Sequence, residues 1–280
     1  MAWHGNLALA YRSDTVQGAP RTVLRDRHDG PLRVLASLHP EGAAVCHNVL
    51  LHPPGGLVGG DELRITVDVA EGAHALITTP GATRFYRSVA GPATQSLVAR
   101  VEPGARLEWL PLEAIAYSGC IGRNDMRFDL AAGAETMGWD VLALGLPASN
   151  LAFERGRFEQ RIELPGRWLE RGVIDAADTR LLDSPLGWAG HRVMAALWFA
   201  AGSAITPARR DELLDGCREV VAEHSLKATA GATALDDGVI VLRVLAPRVE
   251  PAMGLLTSVW ARWREIAWSL PACVPRVWRT

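Results

Sequence analysis

Leu63-Arg64-Ile65-Thr66-Val67-Asp68-Val69 alternates apolar and polar side chains at every step, and Glu71-Gly72 closes the run with a turn. Successive side chains on a strand point to opposite faces, so this run reads as a strand with one face in a core and the other in water. Similar runs follow at Ala73 to Thr79, Leu97 to Val101, Ala105 to Leu110, Trp139 to Leu144, Phe158 to Leu164 and Trp168 to Ile174, separated by turn formers such as Pro103-Gly104 and Pro165-Gly166. Many short strands and few helices predict a mainly β body: a β-helix-like solenoid, a barrel or a sandwich. No fixed sequence period links the strands, so a regular repeat array is not expected.

Immediately upstream stands His52-Pro53-Pro54-Gly55-Gly56-Leu57-Val58-Gly59-Gly60-Asp61. Proline fixes φ and glycine permits positive φ or close backbone approach, so the run specifies a tight path. Leu57 and Val58 between the glycine pairs point to a loop pinned on a core or a partner, with Asp61 opening the next strand. The run lacks the ending of a P-loop and the spacing of a dinucleotide-binding turn, so a phosphate cradle is not indicated.

The last third changes character. Ser184-Pro185 resembles a helix start, and the apolar run from Leu186 to Ala201 is expected as a helix ending at Gly202. Thr206-Pro207 repeats the device before a second helix from Ala208 to about His224, with Leu213, Leu214, Cys217, Val220 and Val221 on one face. Asp236-Asp237-Gly238 turns the chain into an apolar strand from Val239 to Leu245, and a closing helix from about Pro251 to Leu270 carries Trp260, Trp263 and Trp268. No linker separates these parts, so residues 1–280 are expected to form a single domain with helices flanking the β body in its C-terminal third.

Composition narrows the classes. With 280 residues and 49% hydrophobic content the chain can bury a large core, and a net charge of -2 offers no basic footprint for nucleic acid or an anionic membrane surface. No uninterrupted apolar span is long enough for a membrane helix and no charged-then-apolar leader opens the chain, so a cytoplasmic protein is expected. Cys46, Cys120, Cys217 and Cys273 form no CxxC pair and are expected as reduced thiols. Signatures of serine hydrolysis, zinc catalysis, calcium binding and nucleotide hydrolysis are all missing.

Five motifs in order carry a resemblance: HPPGGLVGGD at 52–61, TTPGATRFYRS at 78–88, LEWLPLEAI at 107–115, ALDDGVIVLRVLAP at 234–247 and PRVWRT at 275–280. Together with Gly30-Pro31-Leu32-Arg33-Val34 and Pro40-Glu41-Gly42 they cover nearly the whole chain, which resembles the urease accessory protein UreD family, called UreH in some organisms. The resemblance implies a non-enzymatic nickel chaperone, a mostly β, helix-like body that joins UreF and, through it, the GTPase UreG on apo-urease. It implies no tightly bound cofactor and nickel only in transit. One block departs from a common family pattern: Gly145-Leu146-Pro147-Ala148-Ser149-Asn150-Leu151 has Leu146 and Asn150-Leu151 where an arginine and a glutamate are usual.

Candidate residues follow from side-chain chemistry. Carboxylates set in apolar strands, Asp61, Asp140, Glu108 and Glu113, need water, a charged partner or a hydrogen-bond network, because burying one alone costs about several kcal/mol. A hydrated interior passage would supply that water and weak oxygen ligands for a moving divalent cation. For each, a turn-capping, solvent-facing or ion-paired role is the competing reading, with Arg84 or Arg87 as partner for Glu113. His39, Cys46, His47 and His52 offer nitrogen and sulfur donors apt for nickel, yet neighbours on a strand point apart, so Cys46 is also a core thiol candidate. Arg84, Tyr86 and Arg87 combine charge and aromatic surface suited to a docking contact. Two further functions stay open: a β-rich enzyme acting on a small polar substrate through Asp61, Glu113 and Arg84, and a structural adaptor without metal transit.

Overall fold

A computed structural model describes residues 2–279. The chain begins with a long hairpin, β1 (His4–Val16) and β2 (Ala19–Asp29), whose two-residue turn puts Gln17 and Gly18 at φ 52° and 79°. Positive φ at both turn residues matches the right-handed twist of the flanking strands. Then follow β3 (Arg33–Val34), β4 (Val45–Leu51), β5 (Glu62–Val69), β6 (His74–Thr78), β7 (Thr83–Phe85), β8 (Ala93–Val101), β9 (Arg106–Leu110), β10 (Ala114–Ala116), β11 (Cys120–Leu130), β12 (Glu135–Leu144), β13 (Gly156–Leu164) and β14 (Trp168–Asp175). The C-terminal part holds α1 (Thr179–Asp183), β15 (Val193–Ala201), α2 (Pro207–Glu223), β16 (Ala230–Ala234), β17 (Val239–Ala246) and α3 (Val249–Trp268).

From β4 to β13 the chain coils. Strands β5, β8, β11 and β13 stack in parallel in one sheet, and β4, β6, β9 and β12 stack in parallel in a second sheet facing it. This mainly β, solenoid-like architecture is the expected fold class, with α2 and α3 packed on one side. Gly72, Gly104 and Gly133 turn the same corner of successive coils, each at φ between 68° and 79°. Their unequal spacing hides the repeat from the sequence. Antiparallel strands close the ends: β2 and β14 border the first sheet, while β15, β17 and β16 extend the second. Such caps protect the edges that a parallel stack would leave open.

The two sheets differ in what covers them. The outer face of the first sheet is wet and carries short-range ion pairs, Arg123 with Asp125 and Arg127 with Asp129 on β11, and Arg157 with Glu159 on β13. Its inner face joins Leu9, Val67, Leu97, Phe128 and Phe158 to Leu142 and Trp198 of the second sheet. The second sheet is apolar on its outer face too, where Trp139, Val141, Leu197 and Phe199 meet Leu213, Leu255, Trp260 and Trp263 of α2 and α3. Double burial explains a correction. Leu186 to Ala201 is not a helix: residues 185–190 are turns and β15 runs from Val193, a strand whose continuous apolar run reads like a buried helix. The other helix expectations agree with the fold, and Thr206 caps α2 by accepting a hydrogen bond from the Arg209 amide at 3.3 Å. Among the described residues no helix is long and apolar enough to cross a membrane.

Candidate functional site

The glycine loop and the 78–88 segment form one unit. Leu57 is fully buried; its amide donates to Arg84 O at 2.7 Å, and its carbonyl accepts from the Tyr86 amide at 2.8 Å. A Cβ on Gly56 would stand 2.9 Å from Arg84 O and one on Gly59 would stand 2.7 Å from Gly91 O, so only glycine lets the two loops nest. Asp61 locks the turn. Its Oδ1 accepts from the Trp3 amide at 2.8 Å and its Oδ2 from the Val58 amide at 2.9 Å, with 3% of the residue exposed. Arg84 and Arg87 remain exposed, and the Tyr86 ring leans on Tyr117.

Behind these loops lies a cavity of about 290 Å³ lined by His52, Gly56, Thr83, Arg84, Gln95 and Trp109, among others. His52 Nε2 and Trp109 Nε1 are buried without a protein partner. Burial pushes the His52 imidazole below its ordinary value, against the pull of Asp61, so it is neutral at neutral pH with a lone pair to offer.

Gln95 leads inward. In register across β8, β11 and β13, Gln95 stands beside Asn124 and Asn124 beside Gln160, a row of amides on the inner face of the first sheet. Gln95 Nε2 donates to Asn124 Oδ1 at 3.4 Å, and Asn124 Nδ2 donates across the interior to Asp140 Oδ1 at 3.2 Å. Asp140, on β12, is 5% exposed, and its Oδ2 has no partner. Burial, reinforced by the nearby Glu170 carboxylate and opposed by the Asn124 hydrogen bond, pushes its carboxyl up to about 7. Glu170 on β14 accepts from Arg243 Nε at 3.0 Å and from Arg243 Nη2, a bridge from the edge of the first sheet to the second. Asp140 and Arg243 flank Ala196 in one register row, so all these polar groups share the space between the sheets.

The other candidate carboxylates lie elsewhere. Glu108 neighbours Trp109 on β9 and points to the opposite face, under α3. Its Oε1 pairs with His74 Nε2 at 2.7 Å, and its Oε2 accepts from Trp260 Nε1 at 2.6 Å and faces Arg264 Nε at 3.4 Å. Arg264, fully buried, donates to Glu41 at 2.6 Å and to Pro271 O at 2.9 Å, while His47 Nε2 meets Glu41 at 2.6 Å. Burial pushes the Glu41 carboxyl up, but hydrogen bonds from His47 and Arg264 overcome it and hold it below its usual range. Glu113 is half-buried and pushed up by burial and by Glu250, with Arg84 pulling the other way.

Asp61, Asp140, Glu108 and Glu113 therefore do not line one path; of the four, Asp140 alone stands in the amide row. His39, Cys46, His47 and His52 also diverge. His39 bonds Thr22 O at 2.8 Å, Cys46 Sγ donates to Asn48 Oδ1 at 3.3 Å inside the core, His47 turns to Glu41, and His52 lines the cavity. Among the described residues no group of three or more His, Cys, Asp or Glu could hold a metal ion. Sequence reasoning missed Gln95, Asn124, Gln160, Glu170 and Arg243. A charge inside the apolar run of β17 was the one signal available for Arg243. Leu151, in the block that departs from the family pattern, is 58% exposed on a loop where Asn150 adopts φ 55°.

Fold and interior together define a β-solenoid scaffold with a polar row enclosed between its sheets. The model of the family described as UreD urease accessory protein matches residues 4–279. Over 280 residues and all of both chains, the sequence is 58% identical to the urease accessory protein UreD of Leptothrix cholodnii. It is 61% identical to that of Albidiferax ferrireducens over 278 residues, 99% of each chain, and 56% identical to that of Polaromonas naphthalenivorans over the same length and shares. The chain belongs to the UreD urease accessory protein family.

Proposed function

We propose that the protein is a non-enzymatic scaffold of urease maturation that docks on apo-urease with UreF and, through UreF, with UreG, and guides nickel through the space between its sheets toward the urease active site. Nickel is cargo here, with no resident cofactor. The observation that carries this reading is Asp140: a buried carboxylate with one bound and one unpartnered oxygen, set in a row of amides that leads from the cavity at His52. Leaving such an oxygen bare is costly, so a fold that keeps it has a use for it. Carboxylate and amide oxygens are hard donors and nickel is borderline, so each contact is weak enough to release the ion. His52 offers a stronger nitrogen donor at the cavity.

Asp140→Ala is expected to leave assembly with UreF and apo-urease intact in a pull-down, and to lower urease activation in cells at limiting nickel. Activation equal to the parent's would overturn the passage. Asp61 favours the adaptor reading for its own part of the molecule, since both its oxygens are spent on the loop.

A further inference from the structure

We infer that Arg243 is a displaceable plug: its guanidinium holds Glu170 in place of an incoming divalent cation, and when it swings to solvent Asp140 and Glu170 become the two carboxylates of a transient cation site. The inference rests on the passage reading and adds its control. Arg243 is the one charge on β17, and it sits on the core-facing side with Val239 and Val241. Such a residue is retained in an apolar strand only with a partner, and Glu170 is that partner. Both Arg243 donors meet the same Glu170 oxygen, Oε2.

Three features suit a plug better than a staple. The Arg243 side chain is 43% exposed while Glu170 is 18% exposed, so the cation has somewhere to go and the carboxylate stays. An ion pair open to water on one side is cheap to break, unlike the wholly buried pair at Arg264 and Glu108. The site it would uncover already holds a buried carboxylate oxygen with no partner, Asp140 Oδ2, close enough to Glu170 for the two charges to act on each other. The Asn124 and Gln160 carboxamides stand in the facing row and supply further oxygens after rotation. A divalent cation there would satisfy both carboxylates at once, which Arg243 cannot do while bound to Glu170 alone.

The test is Ni²⁺ binding by equilibrium dialysis to the purified full-length chain, compared among the parent, Arg243→Gln, Arg243→Lys and Arg243→Gln combined with Asp140→Asn. Competition between the plug and the ion predicts affinity for one Ni²⁺ raised at least about fivefold in Arg243→Gln. Arg243→Lys, which keeps a cation, should stay near the parent, and Asp140→Asn should erase the gain. Thermal melts identify any variant that fails to fold; Arg243→Met then replaces Arg243→Gln with the same rise expected, and Glu170→Gln should bind Ni²⁺ less tightly than the parent. Unchanged Ni²⁺ affinity in a folded Arg243→Gln would overturn the plug. If Asp140→Ala still blocks activation, that result leaves the passage standing, whereas normal activation by Asp140→Ala removes the passage itself.

Discussion

Glu108 and Asp140 stand on adjacent strands of the same sheet and are both buried, yet they live in opposite circumstances. Glu108 meets His74, Trp260 and Arg264, so every oxygen has a donor. Asp140 has one amide donor on Oδ1 and none on Oδ2. Burial is common to both carboxylates; satisfaction is what separates them. The Glu108 cluster ties β9, the loop at Glu41, β4 and α3 into one clasp, while the Asp140 row leaves one carboxylate oxygen without a donor.

The comparison is broken most directly at Arg264. Arg264→Ala strips the guanidinium shared by Glu41 and Glu108, and removing one partner from a buried ion pair costs about 3–5 kcal/mol. Urea denaturation should show that loss, with poor yield of folded protein; a cost under about 1 kcal/mol would place the clasp among ordinary surface pairs. Next in size is Asp61→Ala, which leaves the Trp3 and Val58 amides without acceptors and should cost about 1–3 kcal/mol. Faster proteolysis within 52–61 is the expected readout. Retained stability together with lost activation would move Asp61 from the loop to the passage.

The first sheet was legible because water bathes one of its faces, so Leu63 to Val69 and Phe158 to Leu164 alternate as strands must. The second sheet is covered twice, and β15 therefore carries no alternation to separate it from a buried helix. Asp140 could be seen as a carboxylate inside Trp139-Asp140-Val141-Leu142. Its partners could not, because Gln95, Asn124 and Gln160 become neighbours only through strand register, and coils of unequal length leave no period from which to infer register. The clasp was hidden for the same reason: Glu41 and Arg264 meet from opposite ends of the chain. What the sequence did offer was adjacency, Glu108 beside Trp109, which already implies opposite faces of a strand.

The finest test of the contrast is pH. An unfolded aspartate titrates near 3.8, whereas Asp140 in the fold is pushed up to about 7, chiefly by burial. Between those values the folded chain holds a proton that the unfolded chain has released, so this residue's contribution to stability falls as pH rises through the window. Above about pH 7 the carboxylate is charged in both states and the full cost of burying it remains. Asp140→Asn keeps the shape and removes the charge, so the variant should gain on the parent as pH rises from 5 to 8, by roughly 1–3 kcal/mol at the upper end. Thermal melts at both pH values measure the difference. The matching substitution on the satisfied side, Glu108→Gln, should destabilise at either pH, because an NH2 group replaces one of the two oxygens that serve His74 and Trp260. A pH-independent gap for Asp140→Asn would mean that Asp140 is as well served as Glu108. A gap that widens with pH, alongside lost urease activation, would mark a carboxylate kept at the expense of stability for the ion it serves.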